Sequence, residues 1–243
     1  PEERVLTHAF YYTPPIGKDT EKTVIQDVAA FIPAELNTLA WDWHQTHKDV
    51  IGEEIFFVGL AQEHVQDRQK ICELIDKNLV ALDLESSALI RATVSQPVAV
   101  LLIDLGGETT IISVADEHGL RSSANVECGG QHFTGELAKH LKISLKEAEI
   151  KKRQSGFSLQ EDPKAASILE AAIQPIVHES QEAINRYQMK NEGKIKRIQI
   201  SGGASLTPGI DRYLAQLLQL EVAKSKICLE IEPPMPANVQ SFV

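Results

Sequence analysis

The feature that most limits what this chain can fold into is Val98 to Asp104, a nearly continuous apolar run ending in a carboxylate, with Gly106-Gly107 just beyond. A strand without a polar side is buried on both faces, which requires a sheet covered by other elements and points to an α/β protein. Thr110 to Ala115 returns as a second strand, so the glycine pair is predicted to turn a hairpin. Leu120 to Val126 reads as a third strand, ending at Gly129-Gly130.

Beyond these strands the pattern turns helical. Thr134 to Leu141 predicts a short helix, and Ser144-Leu145-Lys146-Glu147 is a capping box that opens another over Leu145 to Gln154. Asp162-Pro163 opens the longest helix, predicted to run to about Lys190 with a kink at Pro175, because proline removes one hydrogen bond and crowds the preceding turn. Lys196 to Ser201 is a strand, Gly202-Gly203 a turn, and Gly209 to Leu218 a helix.

The first part of the chain mixes shorter elements. Val5 to Tyr12 reads as a strand, and Thr20 to Ile32 as a helix with Val24, Ile25, Val28 and Phe31 near one face, stopped by Pro33. A short strand over Leu39 to Trp43 precedes a polar loop through His44, His47 and Lys48. Glu54 to Leu60 is a buried strand, and Gln62 to Asp76 a helix with Val65, Ile71, Leu74 and Ile75 inward. Val80 to Leu84 is predicted as another strand and Ser86 to Ala92 as a helix. The expected division is a first unit over residues 1–95 and a second over 96–243, parted at Gln96-Pro97.

Composition narrows the function. A formal net charge of −10 opposes non-specific binding to nucleic acid or anionic lipid. Cys72, Cys128 and Cys228 are far apart and lack metal-ligand spacing, which fits a reducing cytoplasm and small buried residues. No apolar run approaches the roughly 20 residues that cross a bilayer, so no direct membrane insertion is expected. Both ends read as cut from a longer protein: the chain opens without Met, close to a strand, and closes on Val239 to Val243 without a helix stop.

Three stretches carry chemistry. Leu102-Ile103-Asp104-Leu105-Gly106-Gly107-Glu108-Thr109-Thr110 brings one carboxylate to the end of a buried strand, where two glycines admit a ligand against bare backbone. Thr109 and Thr110 supply hydroxyls and amides for phosphate oxygens, and Asp104 would face Mg²⁺ through water. A hairpin turn with a solvated aspartate satisfies the same residues equally well. Ile198 to Ser205 is a strand that breaks at Gly202-Gly203, a turn able to admit a nucleotide. Gly129 and Gly130 precede a helical segment carrying Glu147, Lys151 and Lys152, whose ordinary explanation is a solvated helix face.

The order of these parts resembles the second half of the actin, Hsp70 and sugar-kinase superfamily, and their wording resembles the PilM family of type IV pilus assembly proteins. Ile103 to Thr110, Cys128 to Thr134, Ala148-Glu149-Ile150-Lys151 and Ile200 to Leu206 carry that likeness. So do Ala30-Phe31-Ile32-Pro33, Trp41-Asp42-Trp43, Phe57 to Ala61 and Ala81 to Glu85. The cell-division family FtsA shares the later motifs and matches the Ile-Pro and Trp-Asp-Trp region less well.

The resemblance implies an actin-like, ribonuclease H-like α/β fold with the inserted subdomain of PilM and FtsA. It implies ATP with Mg²⁺ held by Asp104, Gly106, Gly107, Thr109, Thr110, Gly129, Gly130, Glu147, Lys151, Gly202 and Gly203. It further implies a cytoplasmic location, peripheral to the inner membrane, with the cytoplasmic tail of a PilN-like protein as partner and the pilus platform reached through it. Phe31, Trp41 and Trp43 are candidates for the peptide groove or for core packing. Glu108 is the carboxylate placed to orient an attacking water, so turnover is expected to be slow at most. The family's first phosphate loop is missing from these residues. An FtsA-like division role and a scaffold without nucleotide are the alternatives; a small-molecule kinase would need a substrate base that this segment does not show.

Overall fold

A computed structural model of the chain describes residues 5–12, 20–32, 35–48, 52–94, 98–190 and 193–228. These fall into two compact units, residues 1–88 and 89–243. Pro33, Gln96-Pro97 and the stretch from residue 229 onward, which entered the expectations from sequence, lie outside the described residues.

In the first unit, β1 (Val5–Tyr12) and β2 (Leu39–Lys48) flank β3 (Glu53–Ala61), every pair antiparallel. Helix α1 (Thr20–Phe31) drops Val24 and Val28 onto Ile55 and Phe57, with Phe10, Trp41 and Trp43 packed around them. Trp41 therefore belongs to this small core, its ring 6.1 Å from that of Phe57, whereas Phe31 is exposed and stacks on His8.

Strand β2 is twice as long as expected, since the predicted polar loop through His44, His47 and Lys48 is strand. Leu39, Trp41 and Trp43 turn inward in alternation, a bulge between Gln45 and His47 shifts the parity, and Thr46 is buried. Its polar residues hid an edge strand, whose outer face needs no apolar side chain.

Helix α2 (Gln62–Leu74) departs further from expectation. It buries no residue, and three of the four side chains predicted to face inward, Ile71, Leu74 and Ile75, are exposed, Leu74 at 85%. The predicted strand Val80 to Leu84 is irregular chain. Apolar alternation alone does not make a strand; it needs a neighbour to exchange backbone hydrogen bonds, and the described residues place none there. Helix α3 (Glu85–Thr93) then carries the chain across the boundary into the second unit.

The second unit is built on a five-stranded sheet, ordered β6-β5-β4-β7-β8. Strands β4 (Val100–Leu105), β5 (Thr110–Asp116) and β6 (Gly119–Val126) form an antiparallel meander, and β7 (Arg197–Ser201) and β8 (Val222–Lys224) add in parallel beside β4. β4 is buried along its length except at Asp104, which is half-buried, so the double-sided burial expected from its sequence is present.

Leu101, Ile103, Leu105, Ile198 and Ile200 pack on one face against the helices of the crossover and against α8 (Ile210–Leu218). The crossover comprises α4 (Gly130–Leu141), α5 (Leu145–Gln154), α6 (Pro163–Ala172) and α7 (Gln174–Lys190). The single kinked helix expected from Asp162 to Lys190 is thus two helices joined at Ile173. Pro175 sits in the first turn of α7, where a missing amide proton costs nothing. Asp162 caps α6, accepting from the Ala165 amide at 3.0 Å.

Candidate functional site

Asp104 is the penultimate residue of β4, at the carboxyl end of the strand, where open α/β sheets place their ligands. The turn after it is held by the Gly106 amide donating to the Thr109 carbonyl at 3.0 Å, and a Cβ on Gly106 would stand 2.6 Å from that oxygen. Helix α4 begins at Gly130, four residues earlier than predicted, with Gly129 as its extended N-cap. Its first amides are already engaged: Gly130 donates to the Gly106 carbonyl at 2.9 Å and Gln131 to that of Gly107 at 2.7 Å. A Cβ on Gly129 would stand 2.7 Å from the Gly107 oxygen, so this glycine lets two turns touch.

The third glycine pair arrives from β7. Ser201 donates its hydroxyl to Asp104 Oδ1 at 2.9 Å, and Gly202 turns the chain with φ +80 into a 3-10 turn over Gly203–Leu206. Three glycine turns distant in sequence are thereby brought together around a cleft of about 410 Å³. That volume lies within the roughly 300–1,000 Å³ usual for small-molecule sites.

The cleft's polar wall comes from α5. Glu149, Lys152 and Arg153 line it together with Gly106, Gly107, Gly130 and Gln131; Gly203, Ala204, Leu206 and Thr207 close the other side. Lys152 is 7% exposed and saturated, donating to the Gly130 carbonyl at 2.8 Å and Thr134 Oγ1 at 3.0 Å, with Glu149 Oε2 at 2.8 Å. Glu149 also accepts from the Thr134 hydroxyl at 2.6 Å and from Arg153 Nε at 2.7 Å. Partial burial pushes its pKa up, but the hydrogen bonds from Lys152, Thr134 and Arg153 outweigh that and bring it down to about 2.

The two α5 residues expected at the site lie elsewhere. Glu147 is spent on the capping box, accepting the Ser144 amide at 2.9 Å while Ser144 Oγ accepts its amide at 3.2 Å. Lys151 is paired with Asp162. Neither lines the cleft, because the helix presents its next positions to it. Ala148 and Lys152, four residues apart, share the buried face, and Glu149 flanks them.

Thr110 is also structural: fully buried, it donates to the Cys128 carbonyl at 2.6 Å. Thr109 is half-buried and Glu108 is exposed at the hairpin tip. His132, His140 and His178 are exposed. Cys128 is buried, which pushes its thiol up to about 11, but Cys228 is exposed.

A divalent cation on a polyphosphate needs few protein ligands, since phosphate and water oxygens fill most of its octahedron. Among the described residues no group of three or more His, Cys, Asp or Glu is placed to hold a metal on its own. The single half-buried carboxylate of Asp104 beside glycine turns therefore fits a cation brought in with a phosphate, and does not fit a free-standing metal site.

Known proteins resemble this chain in sequence or in fold. EutJ, an ethanolamine utilization protein of Salmonella typhimurium, is 27% identical over 138 residues, 56% of this chain and 45% of its own. The chain spans less than half the length of each of the curated relatives it matches. Among solved structures, the PilM-PilN type IV pilus biogenesis complex superposes with TM-score 0.76 at 15% identity, covering 98% of this chain and 72% of the other. MreB5 of Spiroplasma citri bound to AMPPNP gives 0.58 at 20% identity, covering 68% and 59%. These likenesses make the fold actin-like, with PilM matched along nearly the whole chain. Residues 101–239, more than half of the chain, match the family model of the cell division protein FtsA, so the chain belongs to the FtsA family of actin-like proteins.

Proposed function

We propose that this chain is the larger part of an ATP-binding scaffold of the PilM kind, working at the cytoplasmic side of the inner membrane and binding the cytoplasmic tail of a PilN-like membrane protein. The observation that carries the nucleotide half of this reading is the meeting of three glycine turns at one cleft, with Asp104 two residues before the first of them and hydrogen-bonded to Ser201 just before the third. Likeness in fold to the PilM of a PilM-PilN complex over nearly all of this chain supports the partner half, and likeness to an actin-like protein bound to AMPPNP supports the nucleotide half. In this reading residues 1–95 form the remnant of the first domain with the inserted subdomain, and 96–243 form the second domain.

The roles divide along the cleft. Gly106 and Gly107 line the phosphate end; Thr109 in the same hairpin turn would add its amide, and Asp104, two residues before Gly106, would hold the metal-bound water. Gly130, Gly202 and Gly203 let the chain approach the nucleotide. Glu149, Lys152 and Arg153, in place of Glu147 and Lys151, face the nucleoside end, with Leu206 offering an apolar surface to the base. A bound Mg²⁺ would neutralise phosphate charge. Glu108 at the exposed hairpin tip is the carboxylate available to orient water, and its exposure suits slow turnover or none. Nucleotide then acts as a conformational clamp rather than as a fuel.

Calorimetry on the full-length protein tests this directly. Wild type should bind ATP–Mg²⁺ at micromolar concentration, and Asp104→Ala should lose most of that affinity. No binding by the intact wild type would leave a scaffold that keeps only the fold. The match to the FtsA model favours a second reading, a division protein of the same fold. Capture of a PilN-type cytoplasmic peptide by the full-length protein separates the two.

A further inference from the structure

We propose that Ser201 is a positioning residue for Asp104, a latch that sets the metal-facing carboxylate and the Gly202-Gly203 turn with one hydrogen bond. The proposal rests on the nucleotide reading above and adds to it a coupling between Asp104 and the Gly203–Ala204 wall of the cleft.

Ser201 is the last residue of β7, and Asp104 is its register partner on parallel β4. The serine is buried, and its hydroxyl spends its single proton on Asp104 Oδ1 at 2.9 Å. Gly202 follows with φ +80, and a Cβ there would stand 2.7 Å from the same Oδ1 and 2.4 Å from the Leu105 carbonyl. One side of the carboxylate is therefore occupied by a buried hydroxyl and by the bare Cα of the turn.

An aspartate at a strand end normally rotates its carboxylate broadly. Here Oδ1 is anchored by the chain segment that also forms the cleft's Gly203 and Ala204 wall. That anchoring is the kind of support which holds a metal-facing group within the narrow tolerance its function needs. It also makes Asp104 and that wall depend on each other. Occupation of the Ser201–Leu206 wall steadies the donor to Asp104, and a cation-bound Asp104 steadies the wall, so nucleoside and metal should each tighten the other.

Ser225 provides the control. It continues β8 beside β7, its amide donating to the Ile200 carbonyl at 2.8 Å, and it is as buried as Ser201, yet its hydroxyl has no hydrogen-bond partner among the described residues. Removing that hydroxyl perturbs the same sheet edge without touching Asp104.

The experiment uses the full-length protein as wild type, Ser201→Ala, Ser201→Thr and Ser225→Ala. ATP binding is measured with excess Mg²⁺ and again in EDTA, and amide hydrogen exchange is followed across residues 202–207 without ligand. Ser201→Ala should weaken ATP binding about tenfold with Mg²⁺, the scale of one hydrogen bond to a charged group, and by no more than about twofold in EDTA. Ser201→Thr should restore the Mg²⁺-dependent part, and Ser225→Ala should match wild type. Exchange in the turn should quicken in Ser201→Ala alone.

Equal losses with and without Mg²⁺, or losses no larger than those of Ser225→Ala, would overturn the latch. So would unchanged exchange in Ser201→Ala. A wild type that binds no ATP, combined with quickened exchange in Ser201→Ala, would remove the nucleotide reading and leave the latch standing.

Discussion

The two units solve the same problem, covering a sheet with helices, to very different depths. In the second, twenty-six buried apolar residues among those described form one cluster, and β4 is closed on both faces. In the first, one helix lays Val24 and Val28 on Ile55 and Phe57, while α2 buries nothing. Buried apolar area is the main favourable term in folding, so among the described residues the second unit has the deeper core and the first the shallower one. The candidate cleft lies on the unit with the deeper core.

Truncating the largest buried rings tests that contrast most severely. Phe133→Ala in the second unit and Phe57→Ala in the first each remove a ring that is at most 1% exposed, and each should cost about 3–5 kcal/mol locally. The comparison predicts different consequences. Hydrogen exchange read strand by strand should show Phe57→Ala opening β1–β3 while β4, β5 and β7 stay protected, whereas Phe133→Ala should disturb the cleft and its ATP binding. Uniform loss of protection in both variants would mean that the chain behaves as one cooperative body.

A smaller effect concerns the cleft wall. Glu149 is held at a pKa of about 2 against an ordinary 4.5. A carboxylate with a depressed folded pKa adds stability that is complete above the unfolded value and is lost as pH falls through the folded one. Acid should therefore loosen α4 and α5 between about pH 4.5 and pH 2, and Glu149→Gln should abolish that part of the slope while lowering stability at pH 7. Parallel acid melting curves for wild type and variant would show that Glu149 contributes nothing there.

The smallest effect belongs to α2. Leu74 is 85% exposed, so Leu74→Ser should change stability by at most about 0.5 kcal/mol, the usual scale for open surface. A cost near that of a core residue in the full-length protein would show the face covered there, and would shrink the contrast between the units.

How much of this was legible before folding varies element by element. The capping box at Ser144 and the meander from Val100 to Val126 were readable because they depend on neighbours within a few residues. The polar half of β2 and the missing strand at Val80 to Leu84 were not, since pairing depends on what lies alongside. At the site, Asp104 and the glycine pairs were visible as motifs, but the reason for the glycines was not: several are bare so that protein turns can touch one another. The choice between Glu147 with Lys151 and Glu149 with Lys152 needed the packed phase of α5, because on a helix the two-residue step between the glutamates moves a side chain about halfway round and the one-residue step between the lysines more than a quarter of the way.

By itself the sequence determined the periodicities, the caps, and the order in which a buried strand, three glycine turns and an acidic strand end succeed one another. These are local properties, written in residues a few positions apart. Only the tertiary structure decided that the three turns share one cleft, that Ser201 reaches Asp104 across nearly a hundred residues, and that α5 offers Glu149 and Lys152. Which side chains meet is settled when the helices bury their apolar faces on the sheet, and that packing is a property of the whole core.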